Sequence, residues 1–336
     1  MPGVLKEFNY VMNAANSMIC PKGDFTADRI PDLSGRIAIV TAGYQIGLNV
    51  VQVLLQRNVK VYLGARSKLK AELAIQELKE QTGREAIFLK LDLGNLASVR
   101  KTAEEYMSKE SELHILFNNA GVMTPPKEML TDDSYDLQFG TNVIGKSAAS
   151  NSFVKRLMLH STTGPFLFTQ LLMPALLAGK ASSPDEHARI VMTSSSAALV
   201  YTLNFDSFKD GPARRKMSTE QLYQQSKFAD AVLGRQFANK YKDQGIISYS
   251  ADPGLIQTDL QRHMPSMQRR IIGTMLRPAP MGALTQLWAG TMPEALEHNG
   301  EYLIPWARIG RCREEAYDDE LGNRLWNWLV EETKER

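Results

Sequence analysis

The sequence is poor in cysteine, carries almost no net charge and has no long uninterrupted apolar segment. Two cysteines, Cys20 and Cys312, occur in 336 residues, and neither belongs to a metal-binding cluster, so we expect a reduced, cytoplasmic chain without a bound metal. Lysine and arginine number 39 against 37 acidic residues, which argues against a nucleic-acid binder or a polybasic membrane anchor. Charges at Lys6 and Glu7 argue against a signal peptide, and the uncharged segment 157–179 contains prolines and polar residues that favour a buried helix over a transmembrane segment.

Short apolar segments alternate with helical ones along most of the chain. This alternation predicts crossover units and therefore an α/β fold, a Rossmann-type doubly wound parallel sheet in a single domain. We expect that domain over residues 35–336, after an N-terminal extension over 1–34. The strands are predicted at Arg36–Val40, Val59–Leu63, Ala86–Leu91, Leu113–Phe117, Arg189–Thr193, Ile246–Ala251 and, as the last, Glu301–Ile304; helices are predicted at Ser67–Thr82, Leu96–Lys109, Glu220–Lys242 and Glu314–Glu332.

Two features near the start of the sheet are compatible with a bound dinucleotide. The turn from Thr41 to Gly47 carries glycine between a strand and a helix, where a pyrophosphate can lie on the helix N-terminus, but a simple packing turn explains it about as often. Arg66 follows the second strand, where an acidic residue would bind the adenine ribose 2′-hydroxyl. An arginine there, with Lys70 nearby, suits a 2′-phosphate, and a solvated arginine at a helix start is an equal alternative.

The remaining chemistry-bearing residues also follow strands or share a helix face. Tyr223 and Lys227 are four residues apart on a predicted helix, so phenol and ammonium lie side by side, and the ammonium is expected to lower the pKa of the phenol. Such a pair often arises by chance. The serines 194–196 and the turns 119–121 and 252–254 each follow a strand, however, which puts four polar or glycine turns on one edge of the sheet.

Taken in chain order, these motifs resemble the short-chain dehydrogenase/reductase family, in its retinol-dehydrogenase-like and fungal branch. The resemblance runs from about Leu33 to the C-terminus. Its motifs are the glycine turn, Asp92-Leu93, Asn118-Asn119-Ala120-Gly121, Thr141-Asn142, Ser195, Tyr223 with Lys227, and Pro253-Gly254 with Thr258.

The resemblance implies a role for each of these residues. Tyr223 would donate the proton in reduction or accept it in oxidation, Lys227 would lower its pKa and hold the nicotinamide ribose, and Ser195 would hydrogen-bond the substrate oxygen. Asn142 would hold a water in a proton relay. Arg66 favours NADP(H) over NAD(H). The implied cofactor contacts are Thr41, Gly43, Ile46, Gly47, Arg66, Lys70, Asp92, Leu93, Asn119, Ala120, Gly121, Tyr223, Lys227, Pro253, Gly254, Ile256 and Thr258, with no metal site.

The sequence departs from the family pattern twice. The turn is one residue short, with Ala42 after Thr41 and Gln45 before Ile46, and a side chain in place of the middle glycine should crowd the phosphates. Residues 146–164 interrupt a helix as an atypical insertion. Because both of its borders can be encoded by typical splice-site sequences, we hypothesise a retained in-frame intron that disturbs Asn142, and we expect its deletion to raise activity.

The function expected from these motifs is an NADP(H)-dependent oxidoreductase that interconverts an alcohol and its aldehyde or ketone. A small lipophilic substrate from fungal secondary metabolism, such as a terpenoid, is suggested by the family branch alone. Met264, Met267 and Met275 either cap such a substrate or pack on the core. Two alternatives stay open: a cofactor-compromised binding protein, and a sugar-nucleotide-modifying enzyme of the wider family. A homo-oligomer is compatible with the sequence.

Overall fold

A computed structural model describes residues 10, 12, 23–41, 45–131, 134–144, 164–258 and 276–334. Eight strands and nine α-helices lie in these residues. The strands are β1 (Ile37–Thr41), β2 (Lys60–Ala65), β3 (Ile87–Lys90), β4 (Ile115–Asn118), β5 (Ala188–Thr193), β6 (Ile246–Ala251), β7 (Tyr302–Ile304) and β8 (Arg308–Gly310). The helices are α1 (Ile46–Gln56), α2 (Lys68–Thr82), α3 (Leu96–Lys109), α4 (Leu137–Phe139), α5 (Pro165–Ser182), α6 (Pro212–Lys216), α7 (Thr219–Tyr241), α8 (Ala279–Thr291) and α9 (Asp319–Thr333).

The strands form one sheet in the order β3-β2-β1-β4-β5-β6-β7-β8, with every pair parallel except β7 and β8. The predicted doubly wound α/β sheet is therefore confirmed. One strand prediction is wrong: the segment ending at Ile304 is not the last strand, because β8 folds back antiparallel on β7. Three residues separate these two strands, which is a hairpin length and leaves no room for a crossover helix.

Both faces of the sheet are covered, because successive side chains of a strand point to opposite sides. In β1, Ile39 packs into the core cluster on one face, and Ala38 and Val40 pack into the cluster on the other. In β4, Leu116 and Phe117 divide in the same way. Both strands therefore have consecutive apolar residues, which is the pattern that predicted a buried parallel sheet.

The sheet reverses its direction of growth between β1 and β4. The chain runs outward from β1 through β2 to β3 on one side, and from β4 through β5 and β6 to β7 on the other. A crevice opens at such a switch point beyond the carboxyl ends of the strands, where open α/β sheets bind ligands.

One further segment differs from the sequence-based expectation, and the described part of the predicted extension packs on the domain. The predicted tail helix over Glu314–Glu332 is divided into a 3₁₀ turn, Glu314–Tyr317, and α9, because the side chain of Asp318 accepts hydrogen bonds from two backbone N–H groups of the first turn of α9. The segment 1–34 is not separate from the domain where it is described, since Phe25, Ile30 and Leu33 are buried in the core cluster beneath α1.

Several expectations fall outside the described residues. They are the turn residue Gly43, the insertion from Lys146 to residue 163, and the three methionines of the segment before α8. The described helix residues stop at Ile144 and resume at Pro165, where Gly164 precedes α5 with a φ of 116°. Within the described ranges, no helix combines the length and apolarity needed to cross a membrane.

Candidate active site

Helix α7 carries Tyr223 and Lys227 one turn apart, and its N-terminus fixes where they lie. A capping box closes the first turn: the Ser218 hydroxyl accepts from the Gln221 N–H at 3.2 Å, and the Gln221 side chain accepts from the Ser218 N–H at 2.9 Å. The two candidate side chains therefore share one face of α7, which packs on β5 and β6.

The structure brings Tyr223, Lys227 and Ser195 together at the carboxyl end of β5. The Ser195 hydroxyl lies close enough to the Tyr223 phenol to lower the pKa of that phenol by hydrogen bonding. The Lys227 ammonium donates to the carbonyl oxygen of Thr193, the last residue of β5, at 2.8 Å. Three side chains that lie up to 32 residues apart in the sequence thus meet at one point of the sheet edge.

The pKa of Tyr223 shifts in the opposite direction to the one expected from the sequence. Burial raises this pKa, and the lowering by the Lys227 ammonium and by the Ser195 hydrogen bond does not compensate. The effect of the ammonium is therefore present, but desolvation of the phenolate outweighs it. The spacing of Tyr223 and Lys227 on the helix predicts the effect of the ammonium. It does not predict how deeply the phenol is buried, and burial decides the direction of the pKa shift.

Among the three consecutive serines, Ser195 is the one whose side chain lowers the pKa of Tyr223. The Ser194 hydroxyl is committed elsewhere, since it donates to the Lys227 carbonyl oxygen at 2.7 Å. Ser195 also accepts from the Ala197 N–H at 3.2 Å and, through its carbonyl oxygen, from the Tyr302 hydroxyl at 2.8 Å. These contacts fix the side chain and the backbone of Ser195 at the carboxyl end of β5.

Asn142 lies in a π-helical turn, Gly140–Ile144, directly behind the loop that follows β4. Its side chain accepts from the Val122 N–H at 2.9 Å, and donates to the Val122 carbonyl oxygen at 3.2 Å and the Ser226 hydroxyl at 2.8 Å. The amide is buried and paired on both sides, and the effect of the inserted segment on Asn142 stays a prediction. A π-turn often marks a functional position in a helix.

The crevice between β1 and β4 is braced by Thr41. Its hydroxyl accepts from the N–H groups of Asn119 and Ala120 at 2.9 and 3.0 Å and donates to the Phe117 carbonyl oxygen at 3.3 Å. Thr41 is fully buried, so its side chain shapes the crevice from inside. Asn119 in turn accepts from Gln286 of α8 at 3.1 Å, which ties the loop after β4 to that helix.

Gly121 gives the crevice its shape next to Lys227. A Cβ at this position would lie 3.1 Å from the Asn142 side-chain oxygen and 3.5 Å from the Lys227 nitrogen. The backbone here is therefore in close contact with the candidate catalytic groups, and a side chain would fill the space in front of them.

The turn before α1 shows strain at the position where the family has its middle glycine. Gln45 has a φ of 77° and a ψ of −79°, a backbone conformation that favours glycine. Ile46 and Gly47 follow in the first turn of α1 and are buried. The backbone geometry expected for glycine is thus kept, although a side chain occupies it.

The candidate adenine-side residues lie at the ends of β2 and β3. Arg66 follows β2 directly, and its carbonyl oxygen accepts from the Lys90 ammonium. Lys70 is exposed in the first turn of α2. Asp92 closes the turn after β3 by accepting from the Gly94 N–H at 2.9 Å. Leu93 is a core residue, so its side chain points away from the crevice.

The loop after β6 completes the edge. Gly254 has a φ of 85°, and its N–H donates to the Asp252 side chain at 2.8 Å, which folds Pro253 into the turn. Ile256 is buried and forms a bridge with Arg277. Thr258 is the last described residue of this loop. The implied contacts of Pro253, Gly254, Ile256 and Thr258 thus lie on the same side of the sheet as Ser195.

Two carboxyl groups in the site were not assigned a role from the sequence. Asp230 lies one turn beyond Lys227 and is paired with it at 2.8 Å. Burial raises the pKa of Asp252 to about 6, against lowering by hydrogen bonds from the Gly254 and Ser196 N–H groups. The sequence signal for Asp230 was its place on the buried face of α7, two turns after Tyr223, where an apolar residue is expected.

The residues present fit a nicotinamide dinucleotide. Thr41, Asn119 and Gly121 line a switch-point crevice, the Gly121 backbone leaves room beside the Lys227 ammonium, and a cation follows β2. No cluster of three or more metal-ligating side chains occurs among the residues with described coordinates.

Comparison with known proteins agrees with this geometry. The family described as short chain dehydrogenase matches residues 36–208. A short-chain dehydrogenase/reductase of Armillaria gallica is 51% identical over 326 residues, 97% of this chain and 99% of the relative. The short-chain dehydrogenase/reductase pkfC of Emericella nidulans is 34% identical over 321 residues, 92% of this chain and 96% of the relative.

Solved structures share the fold. An uncharacterized protein from Mycobacterium Paratuberculosis has a TM-score of 0.68 at 25% identity, covering 92% of this chain and 97% of its own. A blue fluorescent protein from a metagenomic library, in complex with NADPH, has a TM-score of 0.57 at 23% identity, and the coverage is 81% and 96%. The 3-ketoacyl-(acyl-carrier-protein) reductase from Brucella melitensis, complexed with NADH, has a TM-score of 0.57 at 21% identity, again with 81% and 96%.

The family match covers more than half of the chain, and fungal relatives align over nearly all of it. Together with the doubly wound sheet and the residues gathered at its carboxyl edge, these findings identify the chain as a member of the short-chain dehydrogenase/reductase family, oxidoreductases that act on CH–OH groups.

Proposed function

We propose that the protein is an NADP(H)-dependent oxidoreductase that interconverts an alcohol and its aldehyde or ketone. The observation that carries this proposal is the meeting of three side chains at the carboxyl end of β5, where Lys227 donates to the Thr193 carbonyl oxygen and both Lys227 and Ser195 act to lower the pKa of Tyr223. A phenol with a serine hydroxyl and an ammonium next to it can transfer a proton to or from an oxygen atom.

Each of these residues has a part in the reaction. Ser195 hydrogen-bonds the substrate oxygen, where negative charge develops during reduction, and Tyr223 donates its proton to the same atom. The Lys227 ammonium acts to lower the pKa of the Tyr223 phenol, and it contacts the nicotinamide ribose. Asn142, held between Val122 and Ser226, fixes the π-turn beside Lys227 and positions a relay water there. The nicotinamide, when bound, supplies or accepts the hydride.

The cofactor is held along the switch-point crevice. The turn from Thr41 to Gly47 receives the pyrophosphate at the N-terminus of α1, Asp92 lies by the adenine, Asn119 by the adjoining ribose, and Pro253 to Thr258 contact the nicotinamide end. Arg66 and Lys70 supply positive charge after β2, which favours the 2′-phosphate of NADP(H). Structural neighbours that bind NADPH and NADH support a dinucleotide in this fold.

The substrate class we propose is a small lipophilic alcohol or carbonyl compound of fungal secondary metabolism. Its support is kinship with short-chain dehydrogenase/reductases of Armillaria gallica and Emericella nidulans. A cytoplasmic location is supported by the free, buried thiol of Cys312. We also propose 35–336 as the catalytic domain and 1–34 as an extension of it.

The test is a panel of ketones, aldehydes and alcohols assayed with NADPH and NADH. We expect turnover, lost by at least about a hundredfold in Tyr223→Phe and in Ser195→Ala, with saturable NADPH binding retained. The matched control is Tyr241→Phe, since Tyr241 is the last residue of the same helix and lies more than three helical turns beyond Lys227. Absence of NADPH binding in the wild-type protein, or equal activity in Tyr223→Phe, contradicts the proposal.

A further inference from the structure

A buried ion pair holds the ammonium of Lys227. The side-chain nitrogen lies 2.8 Å from the Asp230 carboxylate, and the two side chains are 7% and 3% exposed. The same nitrogen donates to the Thr193 carbonyl oxygen at 2.8 Å. Two of the three N–H bonds of the ammonium are thus directed at fixed protein groups, which leaves one for a ligand.

Burying the Asp230 carboxylate costs free energy, and its packing neighbours give no reason for an acidic side chain at this position. Its second carboxylate oxygen, Oδ1, has no hydrogen-bond partner within the described part of the chain. Its neighbours on the helix, Phe228, Ala229, Ala231 and Val232, are apolar core residues. A carboxylate in such a place is tolerated when its charge is needed by a partner, and Lys227 is the charged group that acts on it.

The charges that reach Tyr223 come from two sides. On its own helix, Lys227 lowers the pKa of the phenol and Asp230 raises it. From the loop after β6, Asp252 raises it as well, and from β7 the neutral hydroxyl of Tyr302 is bonded to the Ser195 carbonyl oxygen. At Tyr223 the effect of one ammonium is therefore opposed by two carboxyl groups, and the charge of a lysine that would favour a phenolate is offset.

The pair itself is ionised near neutral pH. Burial works against the Lys227 ammonium, but the attraction of Asp230 outweighs it, and the pKa of Lys227 is raised. Burial raises the pKa of Asp230 to about 6 despite the opposing effect of Lys227. Above this value the carboxylate is charged, and it acts on Tyr223 through Lys227.

We propose that Asp230 is a positioning residue that fixes the Lys227 ammonium and offsets its charge, so that Tyr223 keeps its proton and the site serves mainly as a proton donor to a carbonyl oxygen. This inference rests on the proposed function and adds to it the favoured direction, reduction. In that direction the Tyr223 O–H bond breaks and an O–H bond forms on the substrate, while its carbonyl carbon gains the hydride supplied by NADPH. The phenolate that remains recovers its proton from water.

The direct test is a ¹³C NMR titration of protein labelled at tyrosine Cζ, with Tyr223→Phe used to assign the Tyr223 resonance. In Asp230→Asn, which is nearly isosteric, we expect the Tyr223 titration to move to lower pH by about one unit, because a negative charge two helical turns away is removed. In Asp230→Glu the carboxylate is kept, and we expect the wild-type titration. Asp230→Ser serves as a second neutral variant, and far-ultraviolet circular dichroism establishes that each variant is folded.

The second test is the pH dependence of NADPH-driven carbonyl reduction. Its alkaline limit should move to lower pH in Asp230→Asn and Asp230→Ser, by the same amount as the NMR titration, and stay unchanged in Asp230→Glu. An unchanged or upward-shifted Tyr223 titration in both neutral variants overturns the inference. A wild-type protein that reduces no carbonyl compound overturns the proposed function instead, and the NMR titration still decides the role of Asp230.

Discussion

Asn142 donates a hydrogen bond to the hydroxyl of Ser226 across 2.8 Å, and this bond joins the π-turn to α7, the helix that carries Tyr223 and Lys227. The same amide pairs with both backbone groups of Val122. The loop after β4, which carries Gly121 next to Lys227, is therefore held by Asn142 in addition to Thr41 and Gln286.

Replacing Asn142 by alanine should loosen this loop. The buried N–H and carbonyl groups of Val122 would lose their partner, while the Ser226 hydroxyl would keep only its bond to the Tyr223 carbonyl oxygen. We expect the free energy of unfolding to fall by about 1–3 kcal/mol and NADPH affinity to fall with it. Urea denaturation and NADPH fluorescence titration measure the two effects. Ser226→Ala removes one of the three bonds and should have the smaller effect; an Asn142→Ala protein with wild-type affinity would disprove this role.

Replacing Gln45 by glycine should improve cofactor binding. The φ of 77° at Gln45 is strained for a residue with a side chain, so glycine should stabilise the fold by about 1 kcal/mol and clear the space next to the pyrophosphate. We expect a lower Kd for NADPH, measured by fluorescence titration.

The matched control for this substitution is Glu186→Gly. Glu186 is exposed, has a φ of 56° and lies before β5, at the opposite end of the sheet from the site. It should gain stability in the same way without any change in NADPH affinity. An equal gain of affinity in both variants would show that strain relief, and not the position of Gln45, is responsible.

The Asp252 carboxyl group should make stability depend on pH. Its pKa is raised from 3.8 to about 6 in the folded protein, so the stability it contributes is present at low pH and lost as the pH rises through 6. Asp252→Asn keeps the acceptor for the Gly254 N–H, and we expect it to be more stable than the wild type by up to about 3 kcal/mol at pH 8, with no difference at pH 3.

Thermal unfolding measured across this pH range checks the sign. Asp32→Asn is a useful contrast, because hydrogen bonds from Asn58 and Ser34 lower the pKa of Asp32. Loss of this carboxylate should destabilise the protein at neutral pH and have less effect at low pH, where the carboxyl group is protonated. A pH-independent difference between wild type and Asp252→Asn would contradict the assignment.

Cofactor preference should depend on Arg66. Arg66→Asp replaces a cation after β2 by a carboxylate, which repels a 2′-phosphate and can accept from a 2′-hydroxyl. We expect the ratio of kcat/KM for NADPH over NADH to fall by about a hundredfold. Lys68→Asp, at the first residue of α2, is the control for a general change of charge, and an equal effect of both variants would argue against a specific contact.

Most of the fold could be predicted from the sequence, but less of the candidate site. Consecutive apolar residues in β1 and β4 were enough to predict a buried parallel sheet, because they pack on both faces. The strand β8 was missed because a three-residue pairing, with Ile309 exposed, has no apolar pattern of its own. Tyr223 and Lys227 were found from helical spacing, whereas the direction of the pKa shift at Tyr223 depends on burial and on Asp230 and Asp252, which only the folded chain brings together.

Tyr10 connects the first residues of the chain to the loop that follows Ser195. Its ring lies under the Arg313 guanidinium at 4.3 Å, and its hydroxyl accepts from the Glu314 N–H at 3.3 Å. Arg313 is buried and donates to the carbonyl oxygens of Leu199 and Val200 at 3.5 and 3.3 Å. A truncation or fusion that disturbs Tyr10 therefore acts, through Arg313, on the segment that follows the candidate catalytic Ser195, and kinetic constants from tagged and untagged protein should not be pooled.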